Sequence, residues 1–300
     1  MPDQPLIVGE VLIDQFPDGR GILGGAPFNV AWNLTGFGLS PVMVTAVADD
    51  DNGRMILERM REWGMSTAGV QTSQRLPTGL VEVTVNNGEP TFNLLPDRAY
   101  DDIQFPAELL AEGGFSMLYV GSLAFRSEPS RTTIRRLMAE SGLPKFVDIN
   151  IRKPWFTLEM AGELLQDAAW TKLNNNELAQ LSGMKCDGPA DAPAAVAKLR
   201  ERYNGKAFFV TCGAEGACAV DEHGDSTIAG SPTPDPLVDT VGAGDAFAAA
   251  CIAGIAAGQP LQPTLESALR FASRTCSLRG ATTRDSGHYA GITGYGAAGA

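Results

Sequence analysis

Residues Asp239–Gly254 read DTVGAGDAFAAACIAG. An acid, two glycines around an alanine, and a second acid precede a run of small apolar residues. Small residues let the backbone turn tightly and aim several N–H groups at one point. The helix that follows adds the positive end of its dipole, so Gly242, Ala243 and Gly244 form a candidate anion cradle. Asp245 stands where that helix begins, and two readings compete for it. It is an ordinary acid of a first helical turn, or it is a base that takes a proton from a hydroxyl while adjacent amides steady phosphoryl oxygens. At the positive end of a helix its carboxylate is expected to stay ionised, with no upward shift in pKa.

Outward from this stretch, apolar strands alternate with helical periodicity. LIV (6–8) and PVMVTAV (41–47) read as strands. GGAPFNVAWNLTGFG (24–38) reads as a glycine turn entering a helix that Gly36 and Gly38 end, and DDDNGRMILERMREWG (49–64) as a second helix. SMLYVGSLAF (116–125) and KFVDINIR (145–152) are strands, followed respectively by the helices SEPSRTTIRRLMAESG (127–142) and FTLEMAGELLQDA (156–168). TKLNNNEL (171–178) reads as a short polar turn into another helix, AAVAKLRERY (194–203) as a helix, and KAFFVTCGAEGACAV (206–220) as strand, turn and strand. A last helix falls around Leu265–Ser277, and the final glycine- and alanine-rich dozen residues read as loose. This alternation predicts an α/β fold. Thr78–Leu95 differs: LVEVTV and PTFNLL alternate around NNGE, the pattern of a hairpin with one wet face.

The 300 residues are 44% hydrophobic and carry a formal net charge of −12. A chain this acidic lacks the broad positive field of a nucleic-acid binder and is repelled by anionic membranes, which still leaves room for a small anionic ligand held by local amides. The start MPDQPLIVGEVLID has no basic region or apolar run of a signal peptide, and no apolar run nears the length of a membrane span. With five cysteines (Cys186, Cys212, Cys218, Cys251, Cys276), no CxxC and two distant histidines, the expectation is reduced thiols in the cytoplasm and no zinc.

DTVGAGDAF and GGAPFNVAWNLTGFG, in this order along the chain, resemble the two signatures of the ribokinase-like (PfkB) family of sugar kinases, and the similarity runs from about Leu6 to Ala281. The resemblance implies a single domain over residues 1–300: a three-layer fold with a central mostly parallel sheet between helices. It also implies a small β lid from segments of about 10–22 and 76–98. It makes Asp245 the catalytic base and Gly242, Ala243 and Gly244 the anion hole. Asp14, otherwise a plain strand-end acid, matches the aspartate that binds sugar hydroxyls. Gly24 and Gly25 match the glycines against which the sugar lies, and Asn29 the polar residue beside them, a role compatible with capping its helix.

In FVDINIRKPW, Asp148, Asn150 and Arg152 resemble the DxNxR pattern of fructokinase-like members. Arg152 is a candidate for sugar or transferred phosphate, or else a surface ion pair. Asn174 and Glu177 match an NxxE motif that organises Mg2+ near the nucleotide phosphates, Glu177 directly or through water. Thr211, Gly213 and Gly216 match the nucleotide-side strand and turn, and Lys172 is a weaker phosphate candidate. Ser273 follows Ala272 where members often carry asparagine near the adenine. Asp239 and the Val241 carbonyl match half of a K+ site whose other half would come from Cys276–Gly280.

GxxxxGK is absent, so no P-loop is expected, and GGAPFNVA lacks the GxGxxG of a dinucleotide site. The implied activity is ATP-dependent phosphorylation of a sugar primary hydroxyl, foremost D-fructose to fructose 6-phosphate. Ribose, 2-keto-3-deoxygluconate or a nucleoside are the alternative acceptors, and a non-catalytic sugar- or nucleotide-binding regulator is the alternative class. LPDRAYDDI (95–103) also resembles fructokinase-like members. Arg98 either projects from the lid toward the sugar or pairs with Asp97, Asp101 or Asp102. Phe28 is placed equally well to stack on a base or to pack in the core. Family resemblance also raises a homodimer through the lids, although Glu82 and Thr84 make the outer lid face polar.

Overall fold

The computed structural model describes residues 4–86, 89–152 and 154–292. In chain order it forms β1 (Leu6–Val8), β2 (Leu12–Gln15), β3 (Gly21–Gly24), α1 (Ala26–Gly36), β4 (Val42–Ala48), α2 (Asp51–Glu62), β5 (Val70–Ser73), β6 (Gly79–Asn86) and β7 (Glu89–Leu94). Next come α3 (Ala107–Glu112), β8 (Leu118–Gly121), α4 (Glu128–Glu140), β9 (Lys145–Asp148), α5 (Leu158–Leu165), β10 (Ala168–Asn174), α6 (Asn175–Ser182) and α7 (Ala192–Arg200). The chain closes with β11 (Ala207–Thr211), β12 (Ala217–Asp221), β13 (Ser226–Ala229), α8 (Ala243–Ala256) and α9 (Leu261–Thr275). The centre of the NNGE turn and most of the glycine- and alanine-rich end lie outside the described residues.

One sheet has nine strands in the order β13-β12-β11-β10-β9-β8-β1-β4-β5, and a second has four, β3-β2-β6-β7. From β5 through β11 every neighbouring pair in the large sheet is parallel, and β12 and β13 add an antiparallel edge. Successive side chains of a strand point to opposite faces, so each apolar strand feeds two cores. Leu6, Val8, Val120, Val147 and Val210 pack with Ile134, Leu164 and Val196 of α4, α5 and α7. Ile7, Tyr119, Phe146 and Phe209 pack with Phe28, Phe247 and Phe271 of α1, α8 and α9. This is the helix–sheet–helix layering that the strand–helix alternation predicts.

Two local readings change. The polar-looking TKL belongs to β10, an interior strand paired with both β9 and β11, and α5 stops at Leu165. Thr171 and Lys172 look like turn residues because the partner that tolerates a buried lysine, Asp148, is 24 positions away in sequence; their side chains lie 3.0 Å apart. Phe28 is fully buried, with its ring 5.7 Å from that of Trp32, so it is core and not a stacking platform.

The small sheet follows the hairpin reading: Val81 and Val83 are buried while Glu82 and Thr84 face outward. Its last strand is tied to the body by Arg126. The buried guanidinium donates from Nε and Nη2 to the two carboxylate oxygens of Asp101 at 2.8 and 2.7 Å. It also donates to the Leu95 carbonyl at 2.7 Å and lies over the rings of Tyr100 and Trp155. Among the described residues the cysteines are buried and unpaired, and no helix is long and apolar enough to cross a membrane.

Candidate active site

The small sheet overhangs a cleft of about 780 Å³ at the carboxyl ends of β1, β8, β9, β10 and β11. Parallel strands end there in polar loops while helix amino termini point in, which is where open α/β sheets bind ligands. Asp14, Gly25, Asn29, Asn150, Arg152, Lys172, Asn174, Glu177, Thr211, Val241, Gly242, Gly244 and Asp245 all line it. Positions from residue 14 to residue 245 thus converge on one space.

α8 opens as its sequence requires. Gly242 has φ 80°, and a Cβ there would lie 2.2 Å from that of Ala281, so only glycine fits this left-handed corner without displacement. A Cβ on Gly244 would come within 3.0 Å of Lys172 Nζ, which places a buried ammonium directly behind the cradle. Asp245 follows in the first turn. Its Oδ2 accepts from Asn29 Nδ2 at 2.8 Å, so α1 and α8, built by the two glycine motifs, meet at the acid. Its other oxygen carries no hydrogen bond among the described residues.

The expectation that Asp245 keeps an unraised pKa is corrected. Burial pushes its carboxyl up to about 6, helped by Asp148 and opposed by the Asn29 hydrogen bond, Lys172 and Arg152. The helix end does not outweigh desolvation, which is the largest influence on this carboxyl, ahead of the Asn29 hydrogen bond. Burial likewise brings Asp14 to about 6, with Arg152 pulling the other way.

A second constellation lies under the cradle. Lys172 Nζ pairs with Asp148 Oδ1 at 3.0 Å, and Tyr119 donates to Asp148 Oδ2 at 3.3 Å. Burial works against the Lys172 charge, yet Asp148, Glu177 and Asp245 together hold its pKa above the usual lysine value. Lys172→Met is expected to destabilise the fold by about 3–5 kcal/mol by leaving Asp148 buried without a counter-charge. Adding Asp148→Asn should recover part of this loss in urea unfolding.

Glu177 closes a capping box on α6: its Oε2 accepts from Asn174 N and its backbone N donates to Asn174 Oδ1. Its Oε1 accepts from Ile151 N at 3.0 Å, so NxxE is joined to the DxNxR loop. Burial pushes the Glu177 carboxyl up against these donors and Lys172. Asp239 bridges two loops, its Oδ1 accepting from Val241 N at 3.0 Å and its Oδ2 from Gly280 N at 3.2 Å. The structure therefore brings the Asp239–Val241 and Cys276–Gly280 segments together.

Other expected positions sit apart from the cleft lining. Gly24 ends β3 beside the Asp14 carboxylate, and Ala243 stands between two lining glycines. Gly213 and Gly216 shape the turn from β11 to β12; a Cβ on Gly216 would meet the Ala229 carbonyl. Ser273 is buried on α9. Arg98 precedes the short turn Ala99–Asp102, and no ion pair joins its side chain to Asp97, Asp101 or Asp102 among the described residues. Arg98 lies outside the lining, and its backbone N donates to Asp101 Oδ2, while Asp101 gives its ion pair to Arg126. Glu10, Tyr119, Ser122 and Thr240 line the cleft without having been singled out. Glu10 follows Gly9 in VGEVLID, and a lone acid between apolar residues is the one signal that marks it.

A family model described as pfkB family carbohydrate kinase matches residues 7–286. The chain belongs to the pfkB family of carbohydrate kinases. This ATP-dependent sugar kinase is 30% identical to a fructokinase of Klebsiella pneumoniae over 298 residues, which cover 92% of this chain and 94% of that protein. Its fold is similar to that of an Arabidopsis thaliana ribokinase solved with ribose and ATP, with TM-score 0.80, 20% identity, and coverage of 95% and 97% of the two chains. It is also similar to an aminoimidazole riboside kinase of Salmonella enterica solved with its riboside and an ATP analogue, with TM-score 0.76, 21% identity, and coverage of 94% and 96%. The pfkB kinase thus shares its architecture with kinases of more than one acceptor class.

Proposed function

We propose that this kinase phosphorylates the primary hydroxyl of D-fructose at its 6-position, with ATP as donor. The observation that carries the reading is the charge pattern of the cleft. Its acceptor end holds Glu10, Asp14 and Asp245, under a lid face of Leu12, Val81, Phe92 and Leu94. Lys172 is committed to Asp148, and Arg152 makes no ion pair among the described residues. Carboxyl groups and one open guanidinium suit a neutral polyol better than a sugar that already bears a phosphate. The full-length similarity to a fructokinase supports a hexose over a pentose.

In this reading Asp14 and Asn29 orient the sugar, and Asp245 holds the acceptor hydroxyl in line and takes its proton. The hydroxyl oxygen bonds to the γ-phosphorus as the bond to the β–γ bridging oxygen breaks, and ADP leaves. The amides of Gly242–Gly244 and the guanidinium of Arg152 meet the charge on the transferring group. Glu177, with each carboxylate oxygen already accepting a backbone N–H, suits Mg2+ held through its water shell. When bound, that ion neutralises charge on the ATP phosphates. Asp239 and the Val241 carbonyl supply oxygen donors of the kind K+ takes. Closure of the small sheet would exclude water and restrain ATP hydrolysis.

The test is an ADP-release panel over fructose, ribose, 2-keto-3-deoxygluconate and adenosine, run in K+ and in Na+. Fructose is expected to give the highest kcat/KM, with a higher rate in K+. A leading rate with ribose or adenosine overturns the acceptor assignment. Tight sugar binding with no ADP release from any acceptor assigns the chain to non-catalytic binding instead.

A further inference from the structure

Glu10 leaves β1 at the floor of the cleft and is only 4% exposed. Its Oε1 accepts from Ala26 N, the first amide of α1, at 3.2 Å. Its Oε2 is buried and has no hydrogen-bond partner. One turn further along α1, Asn29 gives its amide nitrogen to Asp245, while its Oδ1 is likewise buried and without a partner. Two buried polar atoms on residues tied to the first turn of α1 are thus left without a protein partner, and one of those residues holds Asp245. Buried polar atoms are rarely left unmatched unless a ligand or water completes them.

We propose that Glu10 is a specificity-determining residue that acts as a neutral acid, its Oε2–H donating to a sugar hydroxyl while Asn29 Oδ1 accepts from the same or the adjacent one. Because Oε1 already accepts the Ala26 amide, the proton belongs on Oε2, the oxygen that no protein group donates to. A neutral acid also avoids placing a second anion beside Asp245 during transfer. The groups facing Glu10 agree. Asp245 on α8 raises its pKa, Arg152 of the segment after β9 lowers it, and burial dominates, bringing it to about 8. Tyr119 on β8, Tyr100 and Arg126 keep their protons through this range, their pKa values all lying above the usual ones. The inference rests on the sugar-kinase reading and assigns the acceptor a hydroxyl contact that an apolar analogue cannot satisfy.

The experiment compares the wild type with Glu10→Leu and Glu10→Gln, using fructose and its monodeoxy analogues. Losing one hydrogen bond and leaving its partner buried should raise the fructose KM of Glu10→Leu by about ten-fold, with KM for ATP unchanged. Glu10→Gln, which can present N–H in place of O–H, should recover most of that loss. It should also abolish the decline in kcat/KM above about pH 8 that ionisation of Glu10 imposes on the wild type. One deoxy position should penalise the wild type about ten-fold and Glu10→Leu hardly at all. Additive penalties at every position, or equal rises in both KM values with no rescue by Gln, would overturn the proposal. An inactive wild type in the acceptor panel would instead remove the sugar-kinase reading. Glu10 contact would then be judged by calorimetry with fructose, where equal affinity of wild type and Glu10→Leu rejects it.

Discussion

Asp245→Asn is expected to lower kcat by about 10²–10⁴ while leaving the sugar KM near that of the wild type. The amide still accepts from Asn29 and keeps its place in the first turn of α8, so substrate positioning survives and only proton uptake is lost. The same substitution should make the protein more stable. A buried carboxyl whose pKa rises to about 6 on folding binds more protons in the native state than in the unfolded chain, so stability falls as pH rises from about 4 through about 6. At pH 7 the ionised acid costs on the order of 2 kcal/mol, which the neutral amide avoids. Thermal unfolding at pH 4 and pH 7.5 checks this: the variant should gain on the wild type at the higher pH and lose most of its advantage at the lower. In the wild type, kcat/KM should fall on the acid side of about pH 6 as Asp245 takes up its proton.

Gly242→Ala is expected to be as damaging by a different route. The left-handed backbone at φ 80° costs an alanine about 1–2 kcal/mol by itself. Its methyl would also overlap Ala281, 2.2 Å away, so the cradle must move. Misplacing one amide of an anion hole typically lowers kcat by about 10²–10³, and the chain should unfold at lower urea as well. If kcat survives while stability falls, the cradle assignment fails. Asp245→Asn and Gly242→Ala thus predict opposite changes in stability with similar loss of turnover, which separates chemistry from folding in a single pair of proteins.

Much of this was legible in the residues. Small-residue turns that enter apolar helices leave few conformational options, so α1 and α8 followed from GGAPFNVA and DTVGAGDAF, while their approach to one cleft was implied by the family resemblance that the two motifs carry. The hairpin of β6 and β7 was legible because period-two alternation has one geometric meaning. What escaped depends on partners distant in sequence. β10 hid behind Thr171 and Lys172 until Asp148 was seen to neutralise the lysine. The pKa of Asp245 was misjudged because local reasoning supplies the helix dipole but not the desolvation that the packed chain imposes. Glu10 was passed over because its meaning lies in an orphaned oxygen, and orphanhood is a property of the packed molecule. The alternative pairing of Arg98 with Asp101 is absent because Arg126, from another element, claims that carboxylate.

Asn29 and Asp245 are bonded across 216 intervening steps of the chain. A ribosome adding about 5–20 residues per second needs roughly 10–40 s to deliver the second after the first. Throughout that interval the amino-terminal half can build β1, α1 and the small sheet, but it has neither acid nor cradle to work on a nucleotide. The growing polypeptide is therefore catalytically silent until its last fifth emerges, and no truncated fragment ending before α8 should release ADP.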